Sequence, residues 1–381
     1  MLIDLAIKLG VCALVLGGVL NFAGMQTWLE RKQSALMQDR IGANRAYFTV
    51  PWWLGGAPVN WVLRKLGGLG ILNALADVLK LLTKEDFIPA QGDKFLHTLA
   101  PGLAVFFALM AFVAIPIGPT IHLFGRDIPL QVANVNAGLL FVLALASIGI
   151  YGVILAGMVS GNNLATIGGL RAASQMLAYE IALGVSLIGA VIWYGSLDLQ
   201  IIVERQGHLF WGWLPAWGVF VQPLACLIFM TAALAETKRV PFDLPEGEPE
   251  IIGYFTEYSG MKFGLFFLTD FVEIVLVSAL TTTLFFGGWQ VPYLSPDGFH
   301  WPWAHGAIML VSHLAYVGLG LLSFTVKVVA FIWFFMLIRW TLPRFRYDQL
   351  MHLGWKVLFP LSLANLAVTS VMVVIARAGG S

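Results

Sequence analysis

Long, almost uninterrupted apolar stretches alternate with shorter polar segments along most of the chain. A helix needs about 20 mostly apolar residues to cross the hydrocarbon core of a bilayer, and eight stretches reach or approach that length. They are too long and too uniformly apolar for the strands of a membrane barrel, which alternate over roughly ten residues. The pattern therefore predicts an all-α polytopic protein with eight transmembrane helices, at residues 3–27, 98–117, 138–159, 174–195, 216–235, 263–287, 309–338 and 357–376.

The first polar segment, residues 28–97, is long and carries a second kind of helical pattern. Within residues 71–84 the apolar side chains fall on one helical face, and Asn73, Asp77, Lys80 and Lys84 fall on the other. This stretch is too short to cross a membrane. It predicts an amphipathic helix that lies at the membrane interface or covers a cavity.

Composition narrows the class of protein. The 381 residues are 59% hydrophobic and only 11% charged, whereas soluble domains carry about 25% charged residues. This excludes a disordered chain, and the net charge of +1 gives no reason to expect a nucleic-acid partner. The two cysteines, Cys12 and Cys226, both lie in apolar runs. Because an iron–sulfur cluster needs about four thiolates, we expect no metal or redox centre held by this chain.

The positions of the basic residues predict the orientation in the membrane. Of the 22 Lys and Arg residues, 17 fall in the odd-numbered loops between predicted spans and two in the even-numbered loops. Lys and Arg concentrate on the cytoplasmic side of membrane proteins. The odd-numbered loops, including residues 28–97 and 236–262, are therefore predicted to be cytoplasmic and both termini periplasmic.

Four charged residues lie within predicted spans: Glu180, Asp270, Glu273 and Lys327. Asp270 and Glu273 are three residues apart and so share one face of a helix. Charged groups inside a membrane are costly and usually face a cavity or a partner. One interpretation is a structural ion pair of Lys327 with Asp270 or Glu273. The interpretation we favour is a proton relay across the helices.

The cytoplasmic segment 236–262 is unusually acidic. Its prolines prevent one regular helix, and its apolar residues are unexpected in a solvated acidic loop. A folded, partly buried group of carboxylates fits better, and crowded carboxylates titrate in a coupled way that suits proton transfer. Between residues 236 and 257 the only basic residues are Lys238 and Arg239. The same stretch contains six acids: Glu236, Asp243, Glu246, Glu248, Glu250 and Glu257.

Several polar segments together resemble one known family. They are Glu30-Arg31-Lys32, residues 38–45 (Gln-Asp-Arg-Ile-Gly-Ala-Asn-Arg), residues 75–81, Gly168-Gly169-Leu170-Arg171 with Gln175 and Tyr179-Glu180, residues 235–246 (Ala-Glu-Thr-Lys-Arg-Val-Pro-Phe-Asp-Leu-Pro-Glu), residues 256–263, and residues 343–351 with 354–356. The chain resembles the membrane subunits that form the quinone chamber of respiratory complex I, known as the H subunit in bacterial NADH:quinone oxidoreductase and as subunit 1 in mitochondria.

The resemblance implies a subunit of a proton-translocating NADH:quinone oxidoreductase in the bacterial inner membrane. Quinone is then the substrate, and FMN and iron–sulfur clusters belong to partner subunits. It implies a quinone tunnel that includes Arg31, Lys32, Gln38, Arg40, Arg45, Asp77 and Arg171. It implies an acidic proton path of Glu236, Asp243, Glu246, Glu248 and Glu257 with Glu180 deeper, which the intramembrane Asp270, Glu273 and Lys327 extend. Contact with the peripheral arm is expected at Arg344, Arg346 and Asp348.

The chain departs from the family pattern at Ala43, at Asn73-Ala74 and at residues 247–250, and it carries extra residues between Arg45 and Gly70. Three alternatives stay open from sequence. They are a sister complex linked to a hydrogenase, a ferredoxin or a deazaflavin, a stand-alone proton-coupled transporter, and a purely structural anchor. No internal repeat supports the transporter, and an anchor leaves the intramembrane charges unexplained.

Overall fold

The computed structural model describes residues 2–46, 48–51, 53, 56–123, 125–210, 213–244, 253–296, 298–300 and 312–378. The described part is mostly helical. Its helices are α1 (Leu2–Met37), α2 (Gly56–Leu69), α3 (Leu72–Thr83), α4 (Lys94–Met110), α5 (Gly138–Val159), α6 (Asn163–Tyr194), α7 (Leu199–Gln206), α8 (Gly218–Val221), α9 (Pro223–Glu236), α10 (Gly260–Phe285), α11 (His313–Thr341), α12 (Tyr347–His352) and α13 (Phe359–Ala378). A 3-10 turn, Ala111–Ala114, extends α4, and a π-helical turn, Leu353–Leu358, joins α12 to α13.

Among the described residues, seven helical segments are long and apolar enough to cross a membrane, and up to eight if the bent pair α2–α3 counts as one span. The prediction of a polytopic helical membrane protein is confirmed. The fifth predicted span, 216–235, differs: Pro223 starts a new helix after Gln222, so α8 and the 14-residue α9 replace one long helix. At 1.5 Å per residue α9 is about 21 Å long, shorter than the hydrocarbon core.

Several helices extend past the apolar runs that predicted them. α1 continues ten residues further, to Met37, α4 begins at Lys94, and α6 begins at Asn163. Asp93 and Asn162 explain two of these starts, because each side chain accepts hydrogen bonds from the first backbone N–H groups of its helix. Only the part of a helix that faces lipid or core is apolar. The apolar runs therefore did not predict the polar turns at the helix ends.

The long first loop contains two helices that meet at 91°. α3, Leu72–Thr83, lies in the segment predicted to be amphipathic. α2, Gly56–Leu69, was not predicted and lies where the chain carries extra residues. The indole N–H of Trp28 on α1 donates to the carbonyl of Leu69 at 2.7 Å, which ties the corner between the two helices to α1.

In the described part of the even-numbered loops the chain forms three two-stranded antiparallel hairpins, which were also unpredicted. They pair β1 (Ile121–Leu123) with β2 (Arg126–Ile128), β3 (Leu209–Phe210) with β4 (Leu214–Pro215), and β5 (Leu294–Ser295) with β6 (Gly298–Phe299). Strands this short carry too little alternation to be recognised in a sequence.

The centre of the bundle is α10, which contacts α1, α3, α4, α9 and α11. Small residues allow close approach elsewhere, as is common between membrane helices. α5 and α6 touch where Gly157 lies against Gly169, and a Cβ at Gly157 would come within 2.9 Å of the carbonyl oxygen of Ala165. Because α10 is the most enclosed of the candidate spans, its Asp270 and Glu273 are held in the interior of the protein.

Candidate functional site

A cavity opens between α1, α3 and α10, at the end of the bundle where the odd-numbered loops gather. Its volume is about 340 Å³, within the range of sites that hold small organic molecules. Arg31 of α1 and Asp77 of α3 both line it, and Nη2 of Arg31 lies 2.6 Å from Oδ2 of Asp77. Both side chains are partly exposed, so this ion pair gives the cavity a polar, water-accessible edge.

The wall contributed by α10 is apolar. Phe263, Phe267 and Phe271 line it, spaced four residues apart along one helical face. Gly264 lets α3 approach this wall, because a Cβ there would lie 2.9 Å from Cδ1 of Leu81. A cavity with one charged edge and one aromatic wall is suited to a molecule with a polar head and an apolar body.

Three other residues expected in the tunnel lie in the last turns of α1 or in the turn that follows it. Nζ of Lys32 donates to the carbonyl oxygen of Ile41 at 3.2 Å, and Nε of Arg40 donates to Oε1 of Gln38 at 2.7 Å. None of the three lines the cavity between α1, α3 and α10. In this structure their contacts fold the turn beside the cavity.

Arg45 and Arg171 lie apart from that cavity. Arg45 lines a separate, shallow hollow formed by the turn after α1. Arg171 faces α12, where its guanidinium carbon lies 5.6 Å from the ring centre of Tyr347. The Tyr347 hydroxyl in turn lies 2.8 Å from the Ser174 hydroxyl. The structure thus brings together Arg31 and Asp77, but not the whole predicted tunnel set.

Behind the cavity wall, Glu30 holds two arginines. Its carboxylate contacts the guanidinium groups of Arg339 and Arg239, the latter at 3.4 Å. The Arg239 guanidinium carbon also lies 4.5 Å from the ring centre of Phe271. Arg239 therefore packs on the far side of an aromatic residue that lines the cavity.

The acids of α10 meet a lysine of the acidic segment. Nζ of Lys238 lies 2.9 Å from Oδ1 of Asp270 and 3.8 Å from Oε2 of Glu273, and only 1% of the lysine side chain is exposed. Nζ also lies 5.7 Å from the ring centre of Tyr254. Burial of charge at this depth is tolerated only with such pairing.

A small internal cavity connects Glu273 to another acid, Glu236. Its volume is about 30 Å³, and its polar lining consists of Glu236, Thr237 and Glu273. That is room for about two water molecules. Glu180 lies near enough to interact electrostatically with Glu236, and its Oε1 accepts a hydrogen bond from the Ser147 hydroxyl. The structure thus places Glu180, Glu236 and Glu273 in one interior group.

Glu257 is half-buried and lies beside a second buried group near the start of α4. Its Oε1 accepts a hydrogen bond from the side-chain amide of Asn162 at 3.0 Å. The neighbouring Tyr258 stacks on the fully buried ring of His97, with ring centres 3.9 Å apart. Burial raises the pKa of the Tyr258 hydroxyl. His97 was placed just outside a span by the sequence pattern, but α4 includes it.

Asp243 joins the acidic segment to the loop after α11. Its Oδ2 lies 2.9 Å from Nη2 of Arg344, and the rings of Phe242 and Phe345 stack beside this pair at 5.4 Å. Burial raises the pKa of Asp243 to about 6, although the positive charge of Arg344 opposes the shift. Arg344 is thus paired within the chain.

Arg346 and Asp348, which were expected to contact the peripheral arm together with Arg344, lie on the surface. Nε of Arg346 lies 3.6 Å from Oδ1 of Asp348, and both side chains are exposed. Glu246 and Glu248, two members of the predicted acidic path, lie outside the described residues, as does the neighbouring Glu250.

Lys327 does not form the ion pair that we considered from the sequence. Instead of meeting Asp270 or Glu273, its Nζ donates to three carbonyl oxygens just beyond the end of α10. They are those of Phe286 (2.8 Å), Gly288 (3.0 Å) and Gln290 (2.7 Å). The expected partners are already held by Lys238, whereas the chain leaving α10 offers carbonyls beyond the helical hydrogen-bond ladder that need a donor.

A family model described as NADH dehydrogenase matches residues 9–370. The chain belongs to this family. One relative, the H subunit 1 of NADH-quinone oxidoreductase from Geobacter metallireducens, is 44% identical over 96% of both chains. The H subunit of the same enzyme from Flavobacterium psychrophilum is 42% identical over 91% of this chain and 90% of its own. The H subunit from Thermomicrobium roseum is 42% identical over 94% and 93%.

Membership of the NADH dehydrogenase family confirms two predictions made from the sequence. The resemblance to the bacterial H subunits is confirmed over nearly the whole chain, and so is the prediction that the protein acts as a subunit of an NADH:quinone oxidoreductase. Among the described residues, no three His, Cys, Asp or Glu side chains are grouped so that they could hold a metal ion.

Sequence reasoning missed three charged residues that organise the interior of this family member. Lys238 and Arg239 were noted only as the basic residues among the acids, and Glu30 only as part of a matching segment. Their partners, Asp270 for Lys238 and Glu30 for Arg239, are far away in sequence. The available signal was that two adjacent cations among acids need carboxylate partners if the segment is buried.

Proposed function

We propose that this chain is the quinone-chamber and coupling subunit of a proton-pumping NADH:quinone oxidoreductase in the inner membrane of a bacterium. Partner subunits of a peripheral arm carry FMN and iron–sulfur clusters and deliver two electrons to the quinone. The quinone takes up two protons to become quinol. This chain positions the headgroup, supplies protons and passes the resulting charge change towards the other membrane subunits.

The cavity between α1, α3 and α10 is the observation that supports this proposal best. The guanidinium of Arg31 can donate to a quinone oxygen and stabilise the negative charge that develops on reduction. Asp77, 2.6 Å away, holds that guanidinium and can exchange a proton with the reduced headgroup. The aromatic wall of Phe263, Phe267 and Phe271 accommodates the apolar tail.

The position of this cavity also suggests roles for the other residues expected in the tunnel and at the contact with the peripheral arm. Lys32 lies near the end of α1, and Gln38, Arg40 and Arg45 lie in the turn after it. We place the mouth of the cavity, facing the peripheral arm, at this turn. Arg171 and Tyr347 pack together on another face of the same end, next to the exposed Arg346 and Asp348. We place the docking surface of the peripheral arm there, with Arg344 fixing its base through Asp243.

The proton path begins in the acidic segment and enters the membrane through α9 and α10. Water in the cavity between Glu236 and Glu273 transfers protons between these carboxyls. Glu180 continues the path into α6, and Lys327 lies further along, beyond the end of α10. On the cytoplasmic side the path includes Asp243, Glu246, Glu248 and Glu257, with Asp270 as a charged neighbour.

Two contacts support the proposed orientation, with both termini periplasmic. Asp4, at the start of α1, lies 2.7 Å from Nη1 of Arg126 in the hairpin of an even-numbered loop. At the other end, Lys262 in the first turn of α10, directly after the fifth loop, lies 2.8 Å from Asp86 of the first loop. Odd-numbered loops thus share one end of the bundle, and the 17 basic residues in them favour the cytoplasm for that end.

Two substitutions in the assembled complex test the two halves of the proposal. Asp77→Asn should raise the KM for quinone about tenfold, because a weaker partner lets the Arg31 guanidinium move away from the headgroup. Glu236→Gln should leave quinone affinity unchanged and lower the number of protons translocated per NADH oxidised, because an amide cannot carry a proton along the path.

Asp127→Asn serves as the matched control, since this carboxylate lies exposed in the hairpin of an even-numbered loop. It should match the natural chain in both assays. An unchanged KM in Asp77→Asn would contradict the placement of quinone in this cavity. Full proton translocation in Glu236→Gln would contradict the acidic path.

A further inference from the structure

Lys238 is shared unequally between two carboxylates on α10. Its Nζ is in close contact with Asp270 at 2.9 Å and stands off Glu273 at 3.8 Å. The two distances differ by less than 1 Å, so a small rotation of the lysine side chain exchanges its close partner. Two nearby positions of similar contact are what a two-state element requires.

The two carboxylates differ in what else they touch. Glu273 lines the small cavity that it shares with Glu236, whereas Asp270 does not. Water in that cavity can therefore carry a proton to or from Glu273 but not directly from Asp270. The pair divides into one carboxylate that remains a counter-ion and one that exchanges protons.

The backbone around Lys238 connects this pair to the quinone cavity. Lys238 has φ of +54°, a left-handed conformation that an L-residue rarely adopts without support from its surroundings. The next residue, Arg239, packs on Phe271 and Phe267, both of which line the cavity. Arg239 thus contacts the cavity wall, and the adjacent Lys238 contacts the pair of carboxylates on α10.

We propose that Lys238 is a mobile internal cation that moves from Asp270 to Glu273 when Glu273 loses its proton, and that this movement couples the quinone cavity to the proton path. The proton leaves Glu273 for water in the small cavity and passes to Glu236, while the ammonium keeps all of its protons. A quinone against Phe271 biases the position of Arg239 and hence of Lys238. The inference rests on the functions proposed above for the cavity and the path.

Charged groups on several elements surround this switch, and they act on Glu273, on Lys238 or on Glu236, the proton partner of Glu273. Acids of α6, α9 and α10 disfavour a further negative charge, and the arginine beside the lysine favours it. The titratable and charged groups concerned are Glu180, Glu236, Asp270, Arg239 and Tyr254.

The test compares three variants of the intact complex, assayed for protons translocated per NADH oxidised between pH 6 and 9. Lys238→Met should lower this ratio at least threefold. It should also raise, by about one unit, the pH at which the ratio is half-maximal, because loss of a cation makes carboxylates within about 4–6 Å harder to ionise. Lys238→Arg should restore most of the ratio, because the mechanism needs a mobile charge and not a lysine that releases a proton.

Lys262→Met is the matched control. This lysine also pairs with one carboxylate, Asp86 at 2.8 Å, but has no contact with Asp270 or Glu273. It should keep both the ratio and the pH profile of the natural chain. An assembled Lys238→Arg complex that pumps as poorly as Lys238→Met would overturn the proposal, because the lysine itself would then have to give up its proton.

A double-mutant cycle shows whether Lys238 acts through Glu273. In a Glu273→Gln background, Lys238→Met should cause no further loss, whereas the same fold-loss in both backgrounds contradicts the coupling. If Lys238→Met fails to assemble, Glu273→Gln and Lys238→Arg decide: normal pumping in the first or lost pumping in the second overturns the inference.

The Glu236→Gln result separates this inference from the proposed function. Full pumping in Glu236→Gln means that the proposed path is wrong, and the role of Lys238 in it fails as well. Impaired pumping in Glu236→Gln together with a natural ratio and pH profile in Lys238→Met leaves the path standing and rejects the mobile cation alone.

Discussion

The carboxylate of Asp243 and the guanidinium of Arg344 lie 2.9 Å apart although 101 residues separate them in the chain. They join the acidic segment 236–262 to the loop between α11 and α12. The contact does not fully compensate for the burial of Asp243, whose pKa is raised to about 6. Ionisation of this carboxyl therefore works against folding at neutral pH.

The first prediction concerns pH. Because the pKa of Asp243 is higher in the folded chain, at about 6, than in an unfolded one, at about 3.9, its contribution to stability is full below pH 4 and is lost as pH rises through 6. Asp243→Asn removes that loss and still accepts a bond from Arg344. The stability of the variant relative to the natural chain should increase by about 2 kcal/mol between pH 4.5 and 7.5, measured by thermal unfolding in detergent.

The control for this experiment is Asp348→Asn. That carboxylate is in the same region, is 73% exposed and lies 3.6 Å from Arg346. Its replacement should change stability by less than about 0.5 kcal/mol at any pH. A difference between Asp243→Asn and the natural chain that stays constant from pH 4.5 to 7.5 contradicts the prediction.

The second prediction concerns Gln175, whose buried amide nitrogen donates to two carbonyl oxygens, of Ala235 at 2.8 Å and Phe242 at 2.7 Å. Gln175→Met leaves both carbonyls without this donor and should cost about 2 kcal/mol or more of unfolding free energy. Gln200→Met is the control, because Gln200 bonds Glu204 in an exposed pair on α7. Equal losses in the two variants are incompatible with the proposed bridge.

The third prediction concerns the contact between α5 and α6. Gly157→Ala places a Cβ 2.9 Å from the carbonyl oxygen of Ala165 and 3.2 Å from Cα of Gly169, so the helices must separate. We expect a loss of about 1–3 kcal/mol, visible as a lower yield of assembled complex. Gly184→Ala on α6 has nothing within 4 Å of its Cβ and should assemble like the natural chain.

The fourth prediction fills the proposed quinone cavity without straining the backbone. Gly24 lines the cavity, and a Cβ there meets nothing within 4 Å. Gly24→Leu should raise the KM for a long-tailed quinone about tenfold, because the new side chain occupies space that the ligand needs. NADH oxidation by a water-soluble acceptor should not change.

Gly102→Leu is the matched substitution outside the cavity, at another position with no neighbour within 4 Å. Its KM for quinone should equal that of the natural chain. If the two leucine variants behave alike towards quinone, the cavity between α1, α3 and α10 is not the quinone site.

The sequence by itself determined the class of protein and its family. Runs of about 20 apolar residues can be stable only in lipid or in a large core, so most of the spans were visible without any contact information. The long polar motifs around Glu236–Asp243 and Arg344–Asp348 pointed to the family of the bacterial H subunits of NADH-quinone oxidoreductase. Charges inside spans identified Glu180, Asp270, Glu273 and Lys327 as residues that need partners.

Only the tertiary structure decided which partners they have. Lys327 binds backbone carbonyls, and Lys238 takes Asp270 and Glu273, because the positions of charges along a chain say nothing about which helices pack together. The helix α2 in the first loop likewise became visible only in the structure. Composition and periodicity indicate whether a residue is buried. Which charged side chains pair depends on distances of a few ångströms between elements far apart in sequence, and only the folded structure sets these distances.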